Sequence, residues 1–103
     1  MRSIFTDNLK ICAVTGRSGH IEVHHIFGAA NRTRSTFYGF VIPLLAEIHP
    51  NGAQRSDKAC QALTGKTIKE LDLELKQACQ RHYEDELGKS REEWLKEFKR
   101  SYL

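Results

Sequence analysis

The chain has 103 residues, 40% hydrophobic and 28% charged, with a formal net charge of +3. That length suits one domain with a single core, near the size at which a metal or a partner often supplements the core. No apolar run approaches the roughly 18 residues of a membrane span, nothing reads as a secretory leader, and Cys12, Cys60 and Cys79 are too few and too widely spaced for a disulfide framework. The composition points to a cytoplasmic protein with reduced thiols.

The positive charge is unevenly placed. Residues 1–60 carry seven Lys and Arg against four acids, residues 61–103 carry nine of each, and no acid lies between Val23 and Ala46. The excess sits on the half that holds His24, His25 and His49, which invites a polyanion such as DNA through Arg17, Arg32 and Arg34.

In chain order, Ile11 to Val14 is a short β-prone run and Thr15 to Gly19 has the content of a turn. Ile21 to His25 alternates apolar and polar residues as a half-buried strand does, so the two runs suggest a hairpin-like entry. Phe27 to Gly39 lacks a persistent period and reads as a long loop. Phe40 to Leu45 is an apolar run broken by Pro43, expected at an edge or strand end, and Pro50-Asn51-Gly52 is a turn directly after His49.

A short helix is expected over Ser56–Leu63. Thr67-x-x-Glu70 has the form of a capping box, and Ile68, Leu71, Leu75, Ala78 and Cys79 then share one helix face. That helix should run to about Leu87, with Gly88 as its left-handed cap; Ser90-x-x-Glu93 opens another whose stripe is Trp94, Leu95 and Phe98. The result is an α+β chain forming a single domain. Its 1–65 portion holds the strands, loop and histidines, and its 66–103 portion holds a helical pair.

Adjacent histidines on a strand face opposite sides, so His24 and His25 cannot easily do the same job. One can hold a metal while the other faces substrate. A neutral imidazole ligates zinc and related ions, and a second one near neutral pKa serves as a general base. The tandem pair, the basic loop, the apolar strand and His49 before a turn together point to a metal site.

These residues resemble the phage-type HNH proteins. The likeness runs through Cys12-x-x-Thr15-Gly16, Glu22-Val23-His24-His25-Ile26-Phe27-Gly28, Asn31-Arg32-x-x-Ser35, Tyr38-Gly39, Val41-Ile42-Pro43-Leu44 and His49. It continues through Leu71-Asp72-Leu73-x-Leu75-Lys76 and Glu92-Glu93-Trp94-Leu95-Lys96-x-Phe98, nearly the whole chain. The resemblance implies a small ββα-metal core, here with two C-terminal helices. It puts His25 in the place of the general base, and His24 and His49 in the place of ligands. Arg32 and Arg34 would seat the phosphodiester, and Mg2+ or Mn2+ would serve an active nuclease.

The pattern departs from that family in two places. A further histidine is expected soon after His49, but Gly52-Ala53-Gln54 and Gly65-Lys66 supply none, and Asn31 is the nearest match to the motif asparagine. Gln54, Asp57 or Cys60 are the candidates to replace the missing ligand. Cys12, His24, His49 and Cys60 would together form a Cys2His2 set, the composition of a closed structural Zn2+ site; otherwise the cysteines are small buried hydrophobes, the reading preferred for Cys79. His20 and His82 read as surface residues. The missing ligand and asparagine should cost catalysis more than the fold, so the favoured expectation is a structural Zn2+ site that has lost nuclease activity, in a phage- or prophage-encoded binding protein of the host cytoplasm, an inhibitor of a host CRISPR effector or other defence nuclease (an anti-CRISPR protein), with no membrane partner. An open site favours an active metal-dependent DNA endonuclease.

Overall fold

Only one element of the fold is buried along its whole length: the strand Val41–Leu45, here β2. In the computed structural model, which describes all 103 residues, Ile21–His25 (β1) pairs with it antiparallel, His24 opposite Ile42 and His25 opposite Val41. A 3-10 turn, Ala29–Asn31, leads to α1 (Arg32–Tyr38), which fills the connection between the strands. After β2 come the 3-10 turn Ala46–Ile48 and the helices α2 (Asp57–Thr64), α3 (Ile68–Arg81) and α4 (Arg91–Phe98). Four α-helices with a two-stranded antiparallel sheet make this an α+β fold. No helix is long and apolar enough to cross a membrane.

Three expectations are corrected. Ile11 to Val14 is not a strand and the hairpin-like entry does not form. The Gly16 N–H donates to the Cys12 carbonyl and the Cys12 N–H to that of Arg17, a tight turn that Gly16 permits at φ 72°. Ile11 and Val14 are left 39% and 37% exposed, so the run buries only Cys12, and its Ala13 N–H meets β2 at the Pro43 carbonyl.

Phe27 to Gly39 is likewise not a continuous loop, because α1 occupies its second half. Of the two α1 residues buried one turn apart, Ser35 and Tyr38, the first is polar, which hides the helical period from a hydrophobicity pattern. Ser35 Oγ donates to the Phe27 carbonyl at 2.7 Å and accepts from the Phe27 N–H at 3.0 Å, tying α1 to the end of β1. The third correction is Leu95, 39% exposed beside the buried Trp94 and Phe98.

Both capping boxes form as expected, at Thr67/Glu70 and Ser90/Glu93. Beyond Arg81 a π-helical turn, His82–Glu86, carries the chain to Leu87, and Gly88 follows at φ 65°. The short helix expected near residue 56 is α2, capped by the Ser56 side chain, which accepts from the Ala59 N–H.

α4 closes the core. Trp94 stacks on Phe98 with ring centroids 4.2 Å apart, and Phe27 packs against Phe98 at 4.6 Å and edge-on to Trp94 at 5.5 Å. The C-terminal helix therefore pins the segment that follows the tandem histidines.

Beside this cluster the Tyr38 and Tyr83 hydroxyls each donate to Glu97 Oε2 at 2.6 Å. Burial, and then the Glu97 carboxylate that accepts from both, pushes the Tyr38 phenol up to about 12 and raises that of Tyr83 as well. A pKa raised in the folded state favours the protonated form there, so this contribution to stability is complete below the ordinary tyrosine pKa of about 10 and is lost as pH climbs through the folded values. We expect an ultraviolet phenolate titration in which Tyr38 and Tyr83 ionise late, with stability falling above about pH 10. Removing the charge with Glu97→Gln should bring both phenols down; unchanged titration curves would contradict the network.

Candidate metal centre

β1 sends Glu22 and His24 to the same side of the sheet, two residues apart. His49, placed by the 3-10 turn that ends β2, meets His24 edge-on with ring centroids 4.9 Å apart and planes at 63°. His49 Nδ1 lies 2.6 Å from Glu22 Oε1. A carboxylate only accepts, so Nδ1 carries a proton and the Nε2 edge of the ring is turned to other partners. A carboxylate that orients an imidazole in this way is the usual support for a metal-ligating histidine.

Gly52 makes room for that pair. A Cβ there would lie 2.9 Å from Glu22 Oε1 and 3.0 Å from His49 Cβ, so the turn after His49 requires the missing side chain for reasons of space. Gly52→Ala should separate Glu22 from His49, and nitrogen NMR of the imidazoles should then show His49 losing its Nδ1–H tautomer. Retention of that tautomer would contradict the packing argument.

His24 is 1% exposed and its Nε2 has no hydrogen-bond partner. Asp72 Oδ1 of α3 lies 3.5 Å from it, within ion-pair range but without hydrogen-bond geometry. Burial lowers the His24 pKa more than Asp72 raises it, and the ring is neutral. Burial would raise the Asp72 carboxyl, but its contacts with His24 and with Lys76 Nζ, at 2.8 Å, outweigh that and hold it ionised. An unpaired buried nitrogen costs about 1–3 kcal/mol, and its position against a carboxylate calls for an explanation.

Two imidazoles and a carboxylate are a donor set that divalent ions accept, and the orphaned His24 Nε2 fits such an ion. The donors are adjacent and not convergent: no three His, Cys, Asp or Glu side chains are gathered closely enough to hold a metal ion. A cavity of about 440 Å3, lined by Asp72 with Asn51, Arg55, Asp57 and Lys69, opens beside α3 and gives the carboxylate access to solvent.

The expected set of Cys12, His24, His49 and Cys60 is not assembled. Both cysteines are fully buried members of the hydrophobic core. Cys12 sits in the turn before β1; burial alone would raise its thiol pKa, but hydrogen bonds from Thr15 and the backbone bring it lower. Cys60 lies on α2 with its Sγ 3.6 Å from Thr64 Oγ1. Cys79, as expected, is a buried hydrophobe, its pKa raised well above the ordinary value by burial.

The other candidates divide. His25, on the strand's alternate face, is half-buried; burial and then the Arg32 charge lower its pKa, so its imidazole is neutral and able to accept a proton. Asn31 Oδ1 accepts from Arg34 Nη1, and Arg34 also lies 3.8 Å from Glu97, so both side chains are engaged within the protein. Asp57 Oδ1 accepts from the Ile68 N–H and serves the start of α3. Gln54 lies 3.4 Å from the exposed His20. Arg17 is exposed.

Two residues of the site were missed in the sequence: Glu22 and Asp72. The signal for Glu22 was its i, i+2 relation to His24, and for Asp72 its place between Leu71 and Leu73 on a helix otherwise read for its apolar face. No protein-family model, curated protein or solved structure matches the chain.

Proposed function

We propose that this chain is a divalent-metal protein of the ββα-metal (HNH) type that acts on DNA as a metal-dependent endonuclease. The observation that carries this reading is the buried, neutral His24 with its unpaired Nε2 against Asp72, beside a His49 whose tautomer is set by Glu22. The closed zinc reading depended on Cys12 and Cys60, and both lie in the core. With Asp72 in place of the cysteines, His24, His49 and Asp72 are the donors this reading draws on; they lie adjacent without converging, so binding would have to draw them together around the ion, and a three-donor set leaves a coordination position for substrate.

When bound, the metal supplies charge stabilisation at the phosphate and the departing oxygen. His25 takes a proton from water at a ring nitrogen, which its neutral state permits. Arg32, the charge that acts most on His25, seats the phosphodiester next to that base.

Two experiments test the reading. In titrations with Zn2+ and Mn2+, Glu22→Gln should weaken binding by about 10- to 100-fold, whereas Cys60→Ser should bind as the parent does. Loss of the metal in Cys60→Ser would return the cysteine to the site. In plasmid nicking with Mg2+, Mn2+ or Zn2+, His25→Ala should lose about 100-fold or more of the activity while keeping the metal. A metal-loaded parent that leaves the plasmid intact would overturn the enzyme and select the alternative, a binding protein that inhibits a defence nuclease.

A further inference from the structure

α1 carries a large side chain where none is expected. Phe37 is 72% exposed, more than any other large hydrophobic residue of the chain. Its ring is held edge-on by the buried Tyr38, with centroids 4.9 Å apart and planes at 85°, and Tyr38 is in turn anchored through its hydroxyl to Glu97. The ring is thus presented on a firm base.

Shallow cavities flank it on both sides. One, of about 380 Å3, is lined by Arg32, Thr33, Thr36 and Phe37. The other, of about 410 Å3, is lined by Arg2, Phe37, Tyr38, His82, Leu87 and Lys89. Neither is lined by a carboxylate. Lys89 is shared with Glu93 at 3.8 Å, but Arg2 and Arg32 have no acidic partner within ion-pair distance. Arg2 is nonetheless fixed: its Nη2 donates to the Phe37 carbonyl at 2.8 Å, and its guanidinium occupies the space that a Cβ at Gly39 would fill, 2.8 Å from Nη1.

We propose that this face of α1 binds a DNA strand, with one unpaired base stacked on Phe37 and the neighbouring phosphates on Arg2 and Arg32. An exposed aromatic ring between two guanidiniums that lack acidic partners, beside cavities that no carboxylate lines, matches alternating base and phosphate, and it matches neither an apolar protein partner nor a second copy of this cationic face. The proposal deepens the DNA reading above and rests on it, but it concerns binding and needs no metal. Because Arg32 also neighbours His25, the strand would pass from the stacking platform to the base.

The test is fluorescence anisotropy with a labelled single-stranded oligonucleotide in EDTA, where cleavage is absent, so that a failed nuclease assay and a failed stacking site are separately visible. Phe37→Ala should weaken binding by about 5- to 100-fold with an unchanged melting temperature, since the side chain is exposed. Arg2→Gln and Arg32→Gln should each reduce the slope of log affinity against log salt by about one. Parent-like binding by Phe37→Ala, or no binding by the parent, would overturn the proposal. So would sedimentation showing a dimer that Phe37→Ala dissolves, because the ring would then belong to a self-interface.

Discussion

The pairing of β1 with β2 in one register is the constraint on which the rest depends. Successive strand residues alternate faces, so a slip of one residue would exchange the buried His24 for His25 and carry Glu22 away from His49. The strand ends hold the register. The Ile26 N–H bonds the Phe40 carbonyl at one end, the Ala46 N–H bonds that of His20 at the other, and Ser35 clamps Phe27 just beyond. Aromatic packing of Phe27 against Trp94 and Phe98 adds apolar burial to that clamp.

Given that register, the site contains a compensated and an uncompensated half. Glu22 and His49 satisfy one another, and Gly52 leaves the space for them to do so. His24 and Asp72 do so only in part: the carboxylate is held ionised by its contacts with His24 and with Lys76 on its own helix, while the neutral imidazole keeps an unpaired Nε2. A fold of this size can hold an orphaned nitrogen only where its surroundings are rigid. The rigidity comes from the fully buried β2 on one side and α3, fixed at its start by Asp57 and the Thr67 capping box, on the other.

The strand also divides chemistry between its two faces. His24 turns into the protein toward α3, whereas His25 stays accessible near Arg32 at the start of α1. α1 thereby joins the accessible imidazole to the exposed Phe37 at its far end. Its position is fixed by Ser35 and Tyr38, the two side chains it buries, so that its remaining face is free for a ligand.

Local grammar was legible in the sequence wherever the controlling interaction is local. β1, both capping boxes, the end near Gly88 of the π-helical turn that continues α3, and the opposed faces of His24 and His25 all follow from residues within one or two turns of each other. α1 was not legible, because its anchor is a hydrogen-bonded serine and not an apolar stripe. The partners of the histidines depended on tertiary structure alone. The sequence offered Cys12 and Cys60 as equally good donors, and a thiol in the core reads the same in one dimension as a thiol in a site. Only the tertiary fold set Asp72 of α3 beside His24 of β1, 48 positions back in the chain by simple difference of their numbers. No local rule reports such a contact, since it joins a strand and a helix far apart in the chain.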